Sequence, residues 1–249
     1  MAGYALELND AEVIAWDVTR ELLRDSGFAY IASTPWVFGA AAAACARLHP
    51  RETATAQFAQ IDSPSLGALP MPAADIVYQQ FKTWTPTLGS SPGVWLTSPA
   101  ATTAQLSLLL GVAQAADLNI AVLADRAVAA ASALPFEGTV FCIDVELERG
   151  LVTEVQVHSG RAVRHRLVNV AELGQRALYD VWSKGFAGRM VQATRFDPLH
   201  IASSEQALFD ALPQWLSTLR REDRIDDASI GAGGVRYSIE YRAAHAAQD

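Results

Sequence analysis

The chain has 249 residues, 51% of them hydrophobic and 18% charged, enough apolar content to bury a proper core. Nineteen Lys and Arg stand against 27 Asp and Glu, a net charge of −8 with a pI near 5.1. An acidic surface repels phosphate backbones, which argues against a nucleic-acid partner. The densest basic run, Arg161, Arg164, His165 and Arg166, is short and reads as a solvated strand face.

The opening residues Met1 to Asp10 have no basic stretch of the kind that begins a secretory signal. The longest apolar run, Leu106 to Ala116, is too short to span a bilayer. Cys45 and Cys142 lie far apart in apolar surroundings, as free thiols do in a reducing cytosol. The expectation is a cytoplasmic protein that does not span a membrane.

In chain order, Tyr4 to Leu8 and Glu12 to Asp17 predict a hairpin around the polar turn Asn9-Asp10-Ala11. Gly27 to Thr34 predicts a strand, and alanine-rich Gly39 to Leu48 a helix ended before Pro50. Gln57 to Pro72 is loop-rich. Met71 to Trp84 places Ile76, Val77, Phe81 and Trp84 near helical spacing, and Thr85 to Gly93 reads as a connector. Val94 to Thr97 predicts a strand, Thr102 to Ala116 a helix, Ile120 to Leu123 a strand and Arg126 to Ala133 a helix. Val140 to Val145, Leu151 to Val157 and Arg161 to Val168 follow as strands, with a turn at His158-Ser159-Gly160. Helices are predicted over Ala171 to Phe186 and from an N-cap at Ser203 to about Leu219, with Pro213 as a kink or restart. Arg220 to Asp227 reads as a solvated linker, and Ser229-Ile230 with Tyr237 to Tyr241 as a closing hairpin. Strands alternating with helices of this length define an α/β protein with mixed sheets.

The run Val94-Trp95-Leu96-Thr97-Ser98-Pro99-Ala100, then Ala116-Asp117-Leu118-Asn119-Ile120, then Ala124-Asp125-Arg126-Ala127 with its alanines, resembles the nucleotide-binding domain of DnaK-type heat-shock chaperones. Gly39 to Ala42 with His49-Pro50 and Thr53, Ser159-Gly160 and Leu173-Gly174 fall in the family's order. The resemblance implies an actin-like, ribonuclease-H-like α/β fold of two related lobes with mixed sheets flanked by helices. The first lobe would cover 1–138, with a small subdomain inserted at about 24–92; the second, partial, would cover 139–249.

That family binds Mg-ATP through two glycine-rich hairpins whose bare N–H groups meet phosphate, with carboxylates placing Mg²⁺ and water. Here the first hairpin reads Glu7-Leu8-Asn9-Asp10-Ala11 and the second Asp144-Val145-Glu146-Leu147-Glu148-Arg149. The glycines are gone and acids fill the phosphate positions. The resemblance therefore assigns Glu7, Asn9, Asp10, Asp144, Glu146, Glu148 and Arg149 to the nucleotide hairpins, Glu7 and Asp144 to the metal, and Asp125 and Asp144 to catalysis. It implies a degenerate chaperone-type ATPase domain that works as a binding or assembly module with a protein partner, self-association remaining open. The alternatives are an active Mg-ATP-dependent ATPase fragment, or an actin-like scaffold of a pilus or secretion machine. Read without the family, Asp144, Glu146 and Glu148 alternate as on one strand face, either a divalent-cation site or a solvated hairpin tip. Gly233-Gly234 reads as a hairpin turn rather than an adenosine motif, and Lys82 as an exposed helix residue.

Overall fold

The computed structural model describes residues 3–88, 94–98 and 101–243. The 89–93 end of the expected connector, Pro99 and Ala100, and the first two residues lie outside the described residues.

The chain opens with the antiparallel strands β1 (Tyr4–Glu7), β2 (Val13–Trp16) and β3 (Glu21–Asp25). In β1 the alternation is strict: Tyr4 and Leu6 are buried, Ala5 and Glu7 exposed. β3 has no such signal in the sequence. Its two leucines are adjacent and charges bracket them, so it is held as an edge strand by the Val13↔Asp25 register with β2. The expected strand over Gly27 to Thr34 shrinks to β4 (Ala29–Tyr30), which pairs with β5 (Val37–Phe38). Helix α1 is confined to Gly39–Ala43, shorter than the alanine run suggests, and β6 (Thr53–Ala54) completes a small sheet.

Helix α2 (Ala73–Leu88) buries Ile76, Val77, Phe81 and Trp84 and runs a turn past its predicted end. β7 (Val94–Ser98) lies parallel to β1. Helix α3 (Thr103–Ala115) starts from a reciprocal cap in which Thr102 Oγ1 accepts from Gln105 N and Gln105 Oε1 from Thr102 N. β8 (Ile120–Asp125) runs parallel to β7, giving a five-stranded mixed sheet in the order β3-β2-β1-β7-β8. Its core joins Leu6, Val13, Phe81, Trp84, Leu96 and Val112.

Helix α4 (Arg126–Ser132) follows at once, with Asp125 as its N-cap. It covers one face of the meander β9 (Gly138–Val145), β10 (Gly150–His158) and β11 (Arg161–Val170), where Ala127 and Ala131 pack on Val155 and Val157.

Contacts divide the chain into two compact units, one of Met1–Ala43 with Arg51–Gln175 and one of Ala44–Pro50 with Arg176–Asp249. The second contains α5 (Gln175–Thr194), all but its first residue, α6 (Ala202–Glu222), and the hairpin β12 (Arg224–Ala232) and β13 (Val235–Arg242). Its core stacks Phe186 on Tyr241 at 4.0 Å between ring centres, with Leu208, Leu212 and Trp215 around them. Two expectations change here. The cap of α6 is Ile201, not Ser203. Pro213 lies inside the helix without restarting it, with Phe209, Leu212 and Trp215 buried on both sides of a break that costs about 3 kcal/mol in an isolated helix. The charged run expected as a linker is the last turn of α6 and the start of β12. Gly233 and Gly234, both at positive φ, form the turn between β12 and β13. No helix among the described residues is long and apolar enough to cross a membrane.

Candidate functional site

The β1–β2 turn is shaped locally. Asn9 Oδ1 accepts from Ala11 N at 3.0 Å, and Asn9 O from Glu12 N at 2.9 Å. That leaves the Asn9 amide free to reach across the sequence, where Nδ2 donates to Val145 O at 3.1 Å. Asp10 turns inward. Only 3% exposed, its carboxylate accepts the backbone N–H of Leu147 at 2.7 Å. Its own carbonyl accepts from Gly27 N at 2.6 Å.

The β9–β10 turn, Glu146 to Arg149, is closed by Glu146 N donating to Arg149 O at 2.8 Å. Gly174 backs it: a Cβ there would fall 2.4 Å from Glu148 C and 2.6 Å from Arg149 N. Next to it, Gln175 N donates to Glu146 O at 2.8 Å. The side chain of Glu146 is 2% exposed and lies between two guanidinium groups, Arg149 Nε at 2.7 Å and Arg126 Nη2 at 3.5 Å. Glu148 accepts from the Thr55 hydroxyl.

Arg126, 5% exposed, is the centre of this cluster. Its Nε donates to Asp144 Oδ1 at 3.0 Å and its Nη1 to Leu8 O at 3.3 Å, so one side chain ties both hairpins. Burial, reinforced by the neighbouring Glu146 and Glu148 charges, pushes the Asp10 carboxyl up to about 7, against the opposing pull of the Leu147 N–H and Arg149. Four carboxyl groups face two guanidiniums here, and a proton on Asp10 relieves part of the excess.

The structure thus gathers Asn9, Asp10, Asp144, Glu146, Glu148 and Arg149, which the sequence placed on two hairpins. Glu7 stays exposed on β1. Asp125 caps α4 through Val128 N at 3.2 Å and pairs with Arg164 at 2.6 Å, which occupies both its oxygens. The alternation read along Asp144, Glu146 and Glu148 stops where β9 ends at Val145. Glu146 is a buried ion-pair partner rather than a solvated acid at a tip. In the sequence Arg126 stands out only within the Ala124-Asp125-Arg126-Ala127 run and as the first residue of a predicted helix. The available signal was a lone arginine heading an alanine-rich helix, which needs a carboxylate if the helix is buried.

Mg-nucleotide does not fit these residues as they stand. The Leu147 N–H that could meet a phosphate oxygen is taken by Asp10. Asp144, which could hold a cation, is held by Arg126. A cavity touching Leu8 and Arg149 measures about 20 Å³, room for about one water. Among the described residues no group of three or more His, Cys, Asp or Glu side chains is arranged to hold a metal ion. Lys82 pairs with Asp117 at 2.9 Å on the surface. Neither a family model nor a curated protein matches the chain.

Proposed function

We propose that the chain is a catalytically degenerate relative of the DnaK-type ATPase domain, built on an actin-like α/β fold and acting as a binding or assembly module. One observation carries this reading: the Asp10 carboxyl accepts the Leu147 N–H, so the first hairpin supplies to the second the acceptor oxygen a phosphate would have supplied. The protein's own acid is covalently attached and already ordered. A nucleotide would have to displace it and then sit among Asp144, Glu146 and Glu148. At about 4 Å and an effective dielectric near 20, each carboxylate–phosphate pair that Arg126 or Arg149 does not offset costs about 4 kcal/mol, against the roughly 8 kcal/mol of a micromolar ligand.

Calorimetry with ATP and ADP, each with and without magnesium, tests the reading. The expected result is no binding in the micromolar range. Micromolar Mg-ATP affinity, or ATP turnover that Asp144→Asn abolishes, overturns it.

A further inference from the structure

The β1–β2 turn is tied to the second hairpin and to α4 by side chains. Asn9 Nδ2 donates to Val145 O at 3.1 Å, Arg126 Nη1 to Leu8 O at 3.3 Å, and Leu147 N to Asp10 Oδ1 at 2.7 Å. A carboxamide has no charge to lose and a guanidinium keeps its proton in a protein, so the first two bonds do not respond to pH. The third ends on a carboxyl group.

Asp10 is closely packed. Gly27 N donates to its carbonyl at 2.6 Å, and a Cβ on Gly27 would fall 2.7 Å from the Asp10 Cβ, so the aspartate backs directly onto that glycine. The β9–β10 turn brings Glu146, Glu148 and Arg149 near its carboxyl. α4 adds Arg126 and β9 adds Asp144, paired with each other at 3.0 Å. Two residues before Gly27, Asp25 accepts from Ser26 N and the Trp84 indole instead. The chain after β6 adds the uncharged Thr55, on Glu148, and Gln57, on Gly27 O.

The acids of this cluster are not equally provided for. Glu146 has Arg149 and Arg126, Asp144 has Arg126, and Glu148 has the Thr55 hydroxyl. Asp10, just as buried as Glu146, has a backbone N–H. Among the described residues no guanidinium or ammonium group pairs with it. Burial and the repulsion of Glu146 and Glu148 both act on the charged form of Asp10 alone, and moving the carboxylate into water relieves both. The neutral form has no such reason to move.

We infer that Asp10 is a proton-operated latch between the two hairpins. With its proton the carboxyl stays on the Leu147 N–H; without it the carboxylate leaves for water, while Asn9 on Val145 and Arg126 on Leu8 keep the turns joined. The opening is local, since the β1–β2 and β9–β10 ladders stay paired. The closed carboxyl titrates at about 7, which puts the change in the neutral range. Opening increases as pH rises towards that value and levels off above it, where the closed and open forms are both ionised. The latch rests on these contacts and not on the degenerate-ATPase reading. Calorimetry with nucleotide tests that reading separately, so either can fail without the other.

The test is hydrogen exchange of the Leu147 amide in the full chain, followed by NMR from pH 5 to pH 8 and corrected for the intrinsic rate. Protection is expected to fall roughly ten- to a hundredfold over that range, most of it below about pH 7. A local opening exposes little surface, so low urea is expected to leave Leu147 exchange unchanged while speeding that of Leu96, a buried residue of β7. In Asp10→Asn, which keeps an acceptor and cannot titrate, Leu147 protection is expected to be flat with pH. The Asp10 carboxyl carbon shift in the unaltered chain is expected to titrate together with the loss of protection, which decides the matter even if Asp10→Asn fails to fold. The proposal is overturned by constant Leu147 protection in the unaltered chain, or by an equal fall in a folded Asp10→Asn chain. An Asp10 midpoint below about pH 5, or Leu147 exchange as slow and as urea-dependent as that of Leu96, overturns it equally.

Discussion

Asp10 and Leu147 lie 137 positions apart and are joined by a 2.7 Å hydrogen bond from the leucine N–H to the aspartate carboxylate. The contact fixes two turns against each other and places an ionisable group at 3% exposure. In the folded chain the Asp10 pKa rises from 3.8 to about 7. Between those values the folded state keeps a proton that the unfolded chain has lost. The Asp10 contribution is therefore most favourable below about pH 4, declines as pH rises, and levels off above about 7. Asp10→Asn retains an acceptor for Leu147 and removes the titration. Urea unfolding at pH 5 and pH 8 should show the variant gaining on the parent by on the order of 1–3 kcal/mol at the higher pH. A constant difference across that range would contradict the assignment.

Removing Arg126 strands the Asp144 carboxylate and leaves Glu146 with Arg149 alone. Asp144 and Glu146 both bond to it, and Glu146 is 2% exposed. Arg126→Ala should cost about 3–5 kcal/mol, the range for breaking a buried pair from one side. Adding Asp144→Asn and Glu146→Gln should restore part of that loss, because the stranded charge goes with them. A triple variant as unstable as Arg126→Ala would mean that the cost is packing, not charge.

The close approach of Gly174 to the β9–β10 turn is equally testable. A methyl there meets Glu148 and Arg149 backbone at 2.4 and 2.6 Å, with no flexible side chain to move aside. Gly174→Ala should destabilise by about 1–3 kcal/mol through displacement of the turn. Gly188→Ala on α5, where nothing lies within 4 Å, should be neutral or stabilising by up to about 1 kcal/mol. Thermal unfolding of the two variants distinguishes a steric effect from a general intolerance of alanine.

Gly39 combines φ of 65° with a virtual Cβ only 1.8 Å from Asp25 Oδ1. The other Asp25 oxygen accepts the Trp84 indole N–H at 2.5 Å. Gly39→Ala should push the carboxylate away, break the indole bond and cost roughly 2–4 kcal/mol. A changed tryptophan emission in the folded state reports the broken bond. Unchanged emission with full stability would show that the backbone accommodates the methyl elsewhere.

Local signals in the sequence reached some elements and not others. The alternation of Tyr4 and Leu6 and the helical spacing of Ile76, Val77, Phe81 and Trp84 each report a one-sided burial that a single segment encodes, and the apolar run at Val94 reports a strand. β3 escaped because an edge strand with adjacent leucines has no periodicity of its own. The short α1 escaped because alanine favours a helix anywhere, while the end of this one is set by its surroundings.

The sequence by itself determined the mixed α/β class and the two acidic turns, because residue type and short spacing act within a few positions of the chain. Only the tertiary structure decided that Asp10 reaches Leu147, that Arg126 joins both turns and that Glu146 is buried. Asp10 to Leu147 and Arg126 to Leu8 are contacts between segments more than a hundred residues apart, and a carboxylate's fate, solvated or paired, is set by whatever the fold brings beside it.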